Sequence, residues 1–235
     1  QAFNDAFSEP GEVKSRVKSL FRKADTQQRQ RIYNELIKIF ENSMDISARR
    51  SSFNCLVYFS LETGNNEIII KALSDKDNRI REAAASFGYL LKEDQAIFLY
   101  QAIKDNFNST KRNRGFLEFA LSSLAKIPGK KASAMLDEIW NWDYDGLSSD
   151  YKGFVINAMG YSGDVKRIKL LDSVLEGDNN QLRDNAASAL GSLGKYLNYQ
   201  IKEHPESDHS ENISYINKIK AILKNNIEDK NDNVR

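Results

Sequence analysis

Two histidines and four acids lie close together toward the C-terminal end of the sequence. The residues of this group are His204, His209, Glu203, Glu206, Asp208 and Glu211. Imidazole and carboxylate groups are common metal ligands, but their spacing here matches no defined metal site. The segment also contains Pro205 and has no periodic apolar residues, which is typical of an exposed loop. We therefore predict a solvated acidic loop and no metal site.

Nucleophilic catalysis and phosphate binding would each require a pattern that this sequence lacks. The segment GSLGK, Gly191–Lys195, lacks the first glycine of a phosphate-binding loop and the Ser or Thr that follows its lysine. No nucleophile elbow or Ser-His-Asp order is present. The single cysteine, Cys55, lies between Phe53 and Leu56, where a small core residue fits. We expect no catalytic residue and no cofactor, and we predict that the protein is not an enzyme.

Positive charge is densest in one predicted turn near the middle of the chain. Lys111, Arg112 and Arg114 lie there within four positions. Such a group can contact phosphate. However, Asp105 and Glu118 flank it, and turns between helices normally collect solvated charge. We keep the three cations as candidates for binding a partner.

A second basic group is predicted to lie on a solvent-exposed helix face. Its members are Lys166, Arg167 and Lys169.

The segment EIWNWDYDG, Glu138–Gly146, combines two tryptophans and a tyrosine with acids at a predicted helix end. Trp140 follows Leu136 by four positions and should be part of the core. Trp142 and Tyr144 fall at or after the helix end, where aromatic rings beside carboxylates can hold a peptide or a cationic side chain. They would equally fill a seam between neighbouring helical pairs. Both interpretations stay open, and both residues are kept as candidates for binding a partner.

Apolar residues recur at helical spacing through most of the chain, and polar turns divide the helices into pairs. The predicted pairs span residues 26–63, 68–92, 94–127, 131–161 and 164–196. In the first pair we expect Thr26 and Asp45 to cap the two helices and Gly64 to end the second one.

Two of these pairs share a pattern of small residues. Ile68–Lys92 contains a short apolar helix, a polar turn and a helix with the sequence IREAAASFG. The second half recurs in Gln181–Lys195, QLRDNAASALGSLGK, and its first residues recur in Asp232–Arg235. These segments resemble HEAT repeats, a family of helical hairpins whose second helix begins with a Val-Arg-like pair and carries an A-A-x-A-L-G-x-L run. A single hairpin cannot bury its apolar face, so such repeats stack.

The resemblance implies an all-α fold, a right-handed α–α superhelix of about six helical pairs. We expect a single domain over residues 1–235. It would comprise a cap helix in 1–25, hairpins in 26–197, a loop insert in 198–210 and the start of a further repeat in 211–235. The resemblance also implies a structural ladder, in which acids and arginines of adjacent turns pair. The residues that match it are Asp77, Arg81, Asp178 and Arg183.

A HEAT-like class of alkylpurine DNA glycosylases holds a damaged nucleotide with Trp and Asp on its concave face. Trp142 with Asp143 or Asp145 offers these residue types. However, the acids lie in a turn rather than along a second helix. The net charge of +1 also does not support the basic groove of such an enzyme. We do not favour this alternative.

Composition sets the remaining limits on function. Lysine plus arginine number 34 against 33 for aspartate plus glutamate, which gives no overall attraction to nucleic acid or anionic lipid. The apolar segments are too short to span a membrane. The chain starts at Gln1 rather than Met, which indicates that an upstream segment was removed, and we expect the natural protein to extend beyond Arg235. Composition leaves the compartment undecided.

These observations predict a monomeric scaffold, without enzymatic activity, that binds a protein or peptide on the concave surface of a helical array. Two alternatives stay open. One is a nucleic-acid-binding array that uses the basic turn and the Arg81–Arg183 row, and the other is an accessory domain of a larger protein.

Overall fold

The computed structural model describes residues 19–144 and 147–226, and within these ranges every regular element is helical and no strand occurs. A short helical segment at residues 19–23 precedes eleven α-helices. They are α1 (Thr26–Asn42), α2 (Ile46–Thr63), α3 (Glu67–Leu73), α4 (Asn78–Ser86), α5 (Ala96–Asn108), α6 (Arg114–Lys126), α7 (Lys130–Trp140), α8 (Ser149–Tyr161), α9 (Ile168–Leu175), α10 (Asn180–Glu203) and α11 (Ser210–Asn225). The all-helical prediction is therefore confirmed for the described residues.

The even-numbered helices share a way of starting. In each of them a short polar side chain just before the first turn accepts a hydrogen bond from a backbone N–H group of that turn, which otherwise has no partner inside the helix. The capping residues of α2, α4, α6, α8 and α10 are Asp45, Asp77, Asn113, Ser148 and Asn179. The start of each even-numbered helix is therefore encoded locally.

The even-numbered helices pack on one another in chain order. α2 packs on α4, α4 on α6, α6 on α8, and α8 on α10. Among the odd-numbered helices, α3 packs on α5 and α5 on α7, and each also packs on the even-numbered helix that follows it. Small residues allow close approach, since a Cβ atom built on Gly160 of α8 would lie 2.6 Å from the backbone of Ala189 in α10.

The apolar side chains form two buried clusters along the chain. One extends from Phe21 to Met159, and the other from Ile156 to Ile222. Trp140 is half-buried and packs against both clusters, so the core continues from one to the other. Cys55 is buried, as expected from its apolar neighbours.

The predicted limits of the first pair are close to the observed ones. Asp45 and Gly64 act as expected, and Gly64 adopts the left-handed conformation with φ of 69°. The prediction that Thr26 caps α1 is wrong. Asp25 is the cap, because its carboxylate accepts from the Gln28 N–H while the Gln28 side chain accepts from the Asp25 N–H.

Two predicted boundaries also differ from the structure. The helix of the IREAAASFG sequence ends at Ser86, followed by a 3₁₀ turn at Gly88–Leu90. The loop expected over residues 198–210 is wrong in its first part, because α10 continues to Glu203. Leu197 is buried and Ile201 is half-buried against the second cluster, which stabilises the extra turns. Pro205 then disfavours helical geometry at His204.

Two predictions fall largely outside the described residues. The cap helix over residues 1–25 is described only from residue 19, where Phe21 is buried. The helix start at Asp232–Arg235 lies outside the described residues.

Candidate functional site

The aromatic turn after α7 packs against α5. The Trp142 ring lies 4.9 Å from the ring of Phe107 and 6.0 Å from that of Tyr100, both on α5. The Tyr144 ring lies 5.4 Å from Phe107, and its hydroxyl donates to the carbonyl oxygen of Ile139 at 2.7 Å. Trp142 and Tyr144 are half-buried. The structure therefore places both rings in the seam between α5 and α7.

Two phenols near this seam are held in the neutral form. Burial raises the pKa of Tyr144, and burial together with a hydrogen bond to Glu138 raises the pKa of Tyr100 to about 12. The ammonium group of Lys152 lies 4.4 Å from the centre of the Trp140 ring. Asp143 is exposed, and Asp145 lies outside the described residues.

The three cationic side chains of the basic turn, Lys111, Arg112 and Arg114, have different surroundings in the structure. Arg112 folds back so that its Nε donates to the Phe107 carbonyl at 2.7 Å. Arg114 forms an ion pair with Asp150 of α8 at 2.7 Å. Lys111 is exposed and faces a groove of about 420 Å³ that Arg81 also lines. Of the three cations in the turn, Lys111 is therefore the one that lines this groove with Arg81.

Three of the predicted ladder residues, Asp77, Arg81 and Arg183, make hydrogen bonds within their own turns. The Asp77 carboxylate accepts from the Arg79 N–H at the start of α4, while Arg81 donates to the carbonyl oxygen of Asp75. Arg183 makes the equivalent contact, donating to the Gly177 carbonyl at 3.1 Å. Asp178 is exposed in that turn. The two arginines thus secure their own turns, and both reach a carbonyl six residues earlier.

Two buried arginines make contacts between neighbouring helical pairs. Arg49 of α2 donates to the Phe40 carbonyl at 2.8 Å and forms an ion pair with Asp75, 26 residues away. Arg167 is 3% exposed and bonds to the carbonyl oxygen of Ser133 in α7 at 3.0 Å. The prediction that Arg167 lies on a solvent face is therefore wrong.

Three exposed aromatic residues lie on successive even-numbered helices. Phe119 of α6, Tyr161 of α8 and Tyr196 of α10 are 45%, 46% and 41% exposed. Phe119 and Tyr161 line one cavity of about 310 Å³. Tyr161 and Tyr196 line an adjoining groove of about 810 Å³, and Lys126 lines both. We call Phe119, Tyr161 and Tyr196 the aromatic strip.

Sequence reasoning did not identify the aromatic strip. Each of its residues lies in a helix with many buried apolar positions, such as Phe116 in α6 and Met159 in α8. The available signal was that these helices contain more apolar residues than one buried face requires, which indicates that some of them are exposed.

The segment between α10 and α11 is short and exposed. Nε2 of His209 lies 2.6 Å from the carbonyl oxygen of His204, and the Asp208 carboxylate accepts from the Ser210 N–H at 2.9 Å. Within residues 19–144 and 147–226, no group of three or more His, Cys, Asp or Glu side chains is arranged to hold a metal ion.

Over the same described ranges, the structure has no helix whose length and apolar character would allow it to cross a lipid bilayer.

Comparison with known proteins gives little information. No family model matches the chain, and no curated protein matches it. Among solved structures, the chain is similar to an engineered protein whose crystal structure was determined by the Northeast Structural Genomics Consortium. The two are 14% identical, the match covers 94% of this chain and 91% of the other, and the TM-score is 0.42.

Proposed function

We propose that this protein is a HEAT-like scaffold without enzymatic activity, in which helical pairs stack into a right-handed superhelix that binds a protein or peptide. The order of packing supports this arrangement, because α2, α4, α6, α8 and α10 each contact the next in sequence. A stacked array of this kind presents one continuous face built from successive helices. In the HEAT family the second helices line the concave surface, and these correspond to the even-numbered helices here.

The aromatic strip is the observation that carries the proposed function. Its three rings are exposed on neighbouring helices and line adjoining cavities. Large aromatic side chains supply much of the binding energy at protein interfaces, because they bury a large area and have few rotatable bonds. An exposed row of them beside concave surface is therefore suited to contact with a polypeptide.

A selection from random dodecapeptides displayed on phage tests the proposal on the purified chain. We expect binding peptides whose affinity falls at least about tenfold when Phe119, Tyr161 and Tyr196 are all replaced by alanine, because interface aromatics often contribute more than about 1 kcal/mol each. The matched control replaces three other exposed apolar residues by alanine. They are Ile97 and Phe98 of α5 and Ile213 of α11, which are 45%, 49% and 49% exposed.

The control should retain full affinity. Failure to select any binding peptide would contradict the proposed function. Equal losses in both triple variants would contradict the assignment of the surface. Circular dichroism and melting temperature establish that both variants are folded.

The nucleic-acid alternative receives less support from the geometry. Arg112 and Arg114 are engaged with a backbone carbonyl and with Asp150, so they are not arranged to contact successive phosphates. Titration of duplex DNA at about 50 and about 200 mM salt tests this alternative, since binding through phosphates weakens steeply as salt rises.

A further inference from the structure

The groove beside Tyr161 and Tyr196 carries an excess of positive charge. It lies between the junction of α6 with α7, the end of α8 and the middle of α10, and has a volume of about 810 Å³. Lys126, Lys130 and Lys166 line it and are exposed. We call this the lysine groove.

The ammonium groups of the three lysines are not paired with acidic side chains of the described residues. The ammonium group of Lys126 lies 5.4 Å from the centre of the Tyr161 ring. This places a cation and an aromatic face side by side on the groove wall.

The carboxylates in the groove have a cation of their own. Asp137 lies 3.1 Å from Nη2 of Arg167, and Asp164 lies 3.7 Å from its Nε. The Arg167 side chain is only 3% exposed, so its charge acts mainly on these two acids. Three lysines and Arg167 against the two aspartates leave a net charge of +2 at the groove.

One backbone N–H group at the start of α7 is already engaged by a carboxylate. The Lys131 N–H donates to the carboxylate of Glu93 at 2.9 Å. The Glu93 carboxylate therefore already lies at this helix end, and the positive character of the groove depends on the lysine side chains.

We propose that the lysine groove binds an acidic protein segment in which carboxylates alternate with aromatic or other apolar side chains. The lysines would pair with carboxylates, while Tyr161 and Tyr196 would pack against the apolar side chains. A nucleic acid fits this surface less well, because it carries a phosphate at every nucleotide and would place some of them close to Asp137 and Asp164. A peptide can place apolar side chains near these two acids and its carboxylates near the lysines. This inference depends on the proposed function and specifies the chemistry of its partner.

Fluorescence anisotropy with defined probes tests the inference. The first probe is a labelled dodecapeptide of repeated Glu-Glu-Phe triplets, and its twin has Gln in place of Glu. A Lys-Lys-Phe dodecapeptide and a single-stranded DNA oligonucleotide complete the set. We expect the acidic peptide to bind about tenfold or more tightly than the Gln twin, as several exposed ion pairs together contribute roughly that factor.

Two triple variants with the same change in charge locate the site. Replacing Lys126, Lys130 and Lys166 by alanine should remove the preference for the acidic peptide. Replacing the exposed residues Lys169, Lys218 and Lys220 by alanine should leave the preference unchanged. Replacing the three groove lysines by glutamate should transfer the preference to the Lys-Lys-Phe peptide.

Any of the following results would overturn the inference. The acidic peptide and its Gln twin could bind equally, both alanine variants could lose the preference equally, or the DNA could bind more tightly than the acidic peptide with the same dependence on the groove lysines. Absence of acidic-peptide binding, with retention of peptides selected on the aromatic strip, would also overturn it while leaving the proposed function intact. If the selection also yields no binding peptide, the proposed function fails with it.

Discussion

Replacement of Arg49 by alanine should destabilise the fold more than any change at a surface arginine. The side chains of Arg49 and Asp75 are only 8% and 7% exposed, and they form an ion pair. The same guanidinium holds the carbonyl oxygen of Phe40 at 2.8 Å. Its removal leaves the Asp75 carboxylate buried without its cation and the carbonyl without its donor.

The expected loss in the free energy of unfolding is about 3–5 kcal/mol, which is typical when one partner of a buried ion pair is removed. With an m-value of about 3 kcal/mol/M, the urea midpoint should fall by about 1–1.7 M. Arg50 provides the control, because it is adjacent in sequence and exposed. Its replacement by alanine should change the unfolding free energy by less than about 0.5 kcal/mol.

Urea unfolding is followed both by far-UV circular dichroism and by the fluorescence of Trp140 and Trp142. The second probe reports on α7 and the turn after it, so a difference between the probes would show that the array does not unfold in one step. The double variant Arg49→Met with Asp75→Leu should recover much of the loss, since no charge is then left buried. If Arg49→Ala falls within about 1 kcal/mol of Arg50→Ala, the structural role assigned to the pair is incorrect.

Three further measurements test other parts of the structure. Gly160→Ala should lower the free energy of unfolding in urea by about 1–3 kcal/mol, because the added methyl group would overlap the Ala189 backbone. Gly191→Ala should be neutral or stabilising, because a Cβ atom at that position meets no neighbouring element within 4 Å. Tyr100 should ionise near pH 12 rather than 10.0. The stability that its neutral form contributes is complete below pH 10.0 and is lost as the pH rises toward 12. Ultraviolet difference titration against Tyr100→Phe would detect this, and Glu138→Gln should lower the pKa only in part, since burial is the larger cause. Small-angle scattering should give a radius of gyration above the roughly 17–18 Å of a compact chain of 235 residues, and a value at or below it would contradict a stacked array.

The helices could be predicted from the sequence because their signals are local. Asp45 and Gly64 mark the limits of α2 through the geometry of the first and last turns. The continuation of α10 past Tyr196 could not be predicted because it depends on burial in the second cluster, to which Leu197 and Ile201 belong together with Ile216 and Ile219 of α11. Such support is not visible in the residues of one helix alone.

The contacts between pairs could not be predicted for a similar reason. Arg49 lies next to Arg50 in the polar first half of α2, where the sequence does not distinguish the buried arginine from the exposed one, and its partner Asp75 is 26 residues away. The exposure of Phe119 beside the buried Phe116 depends on which face of α6 its neighbours cover. Sequence reasoning identified Trp142 and Tyr144 as unusual, but only the structure shows that Phe107 occupies the space beside them.

Hydrogen exchange on the full chain, with and without the tightest dodecapeptide from the phage selection, tests the central claim most directly. Bound peptide should slow exchange in α6, in the second half of α8 and in α10 around Tyr196, because the aromatic strip connects these helices. Slowed exchange confined to the turn at residues 109–113, or to α1 and α3, would contradict the proposal that the face of even-numbered helices is the binding surface.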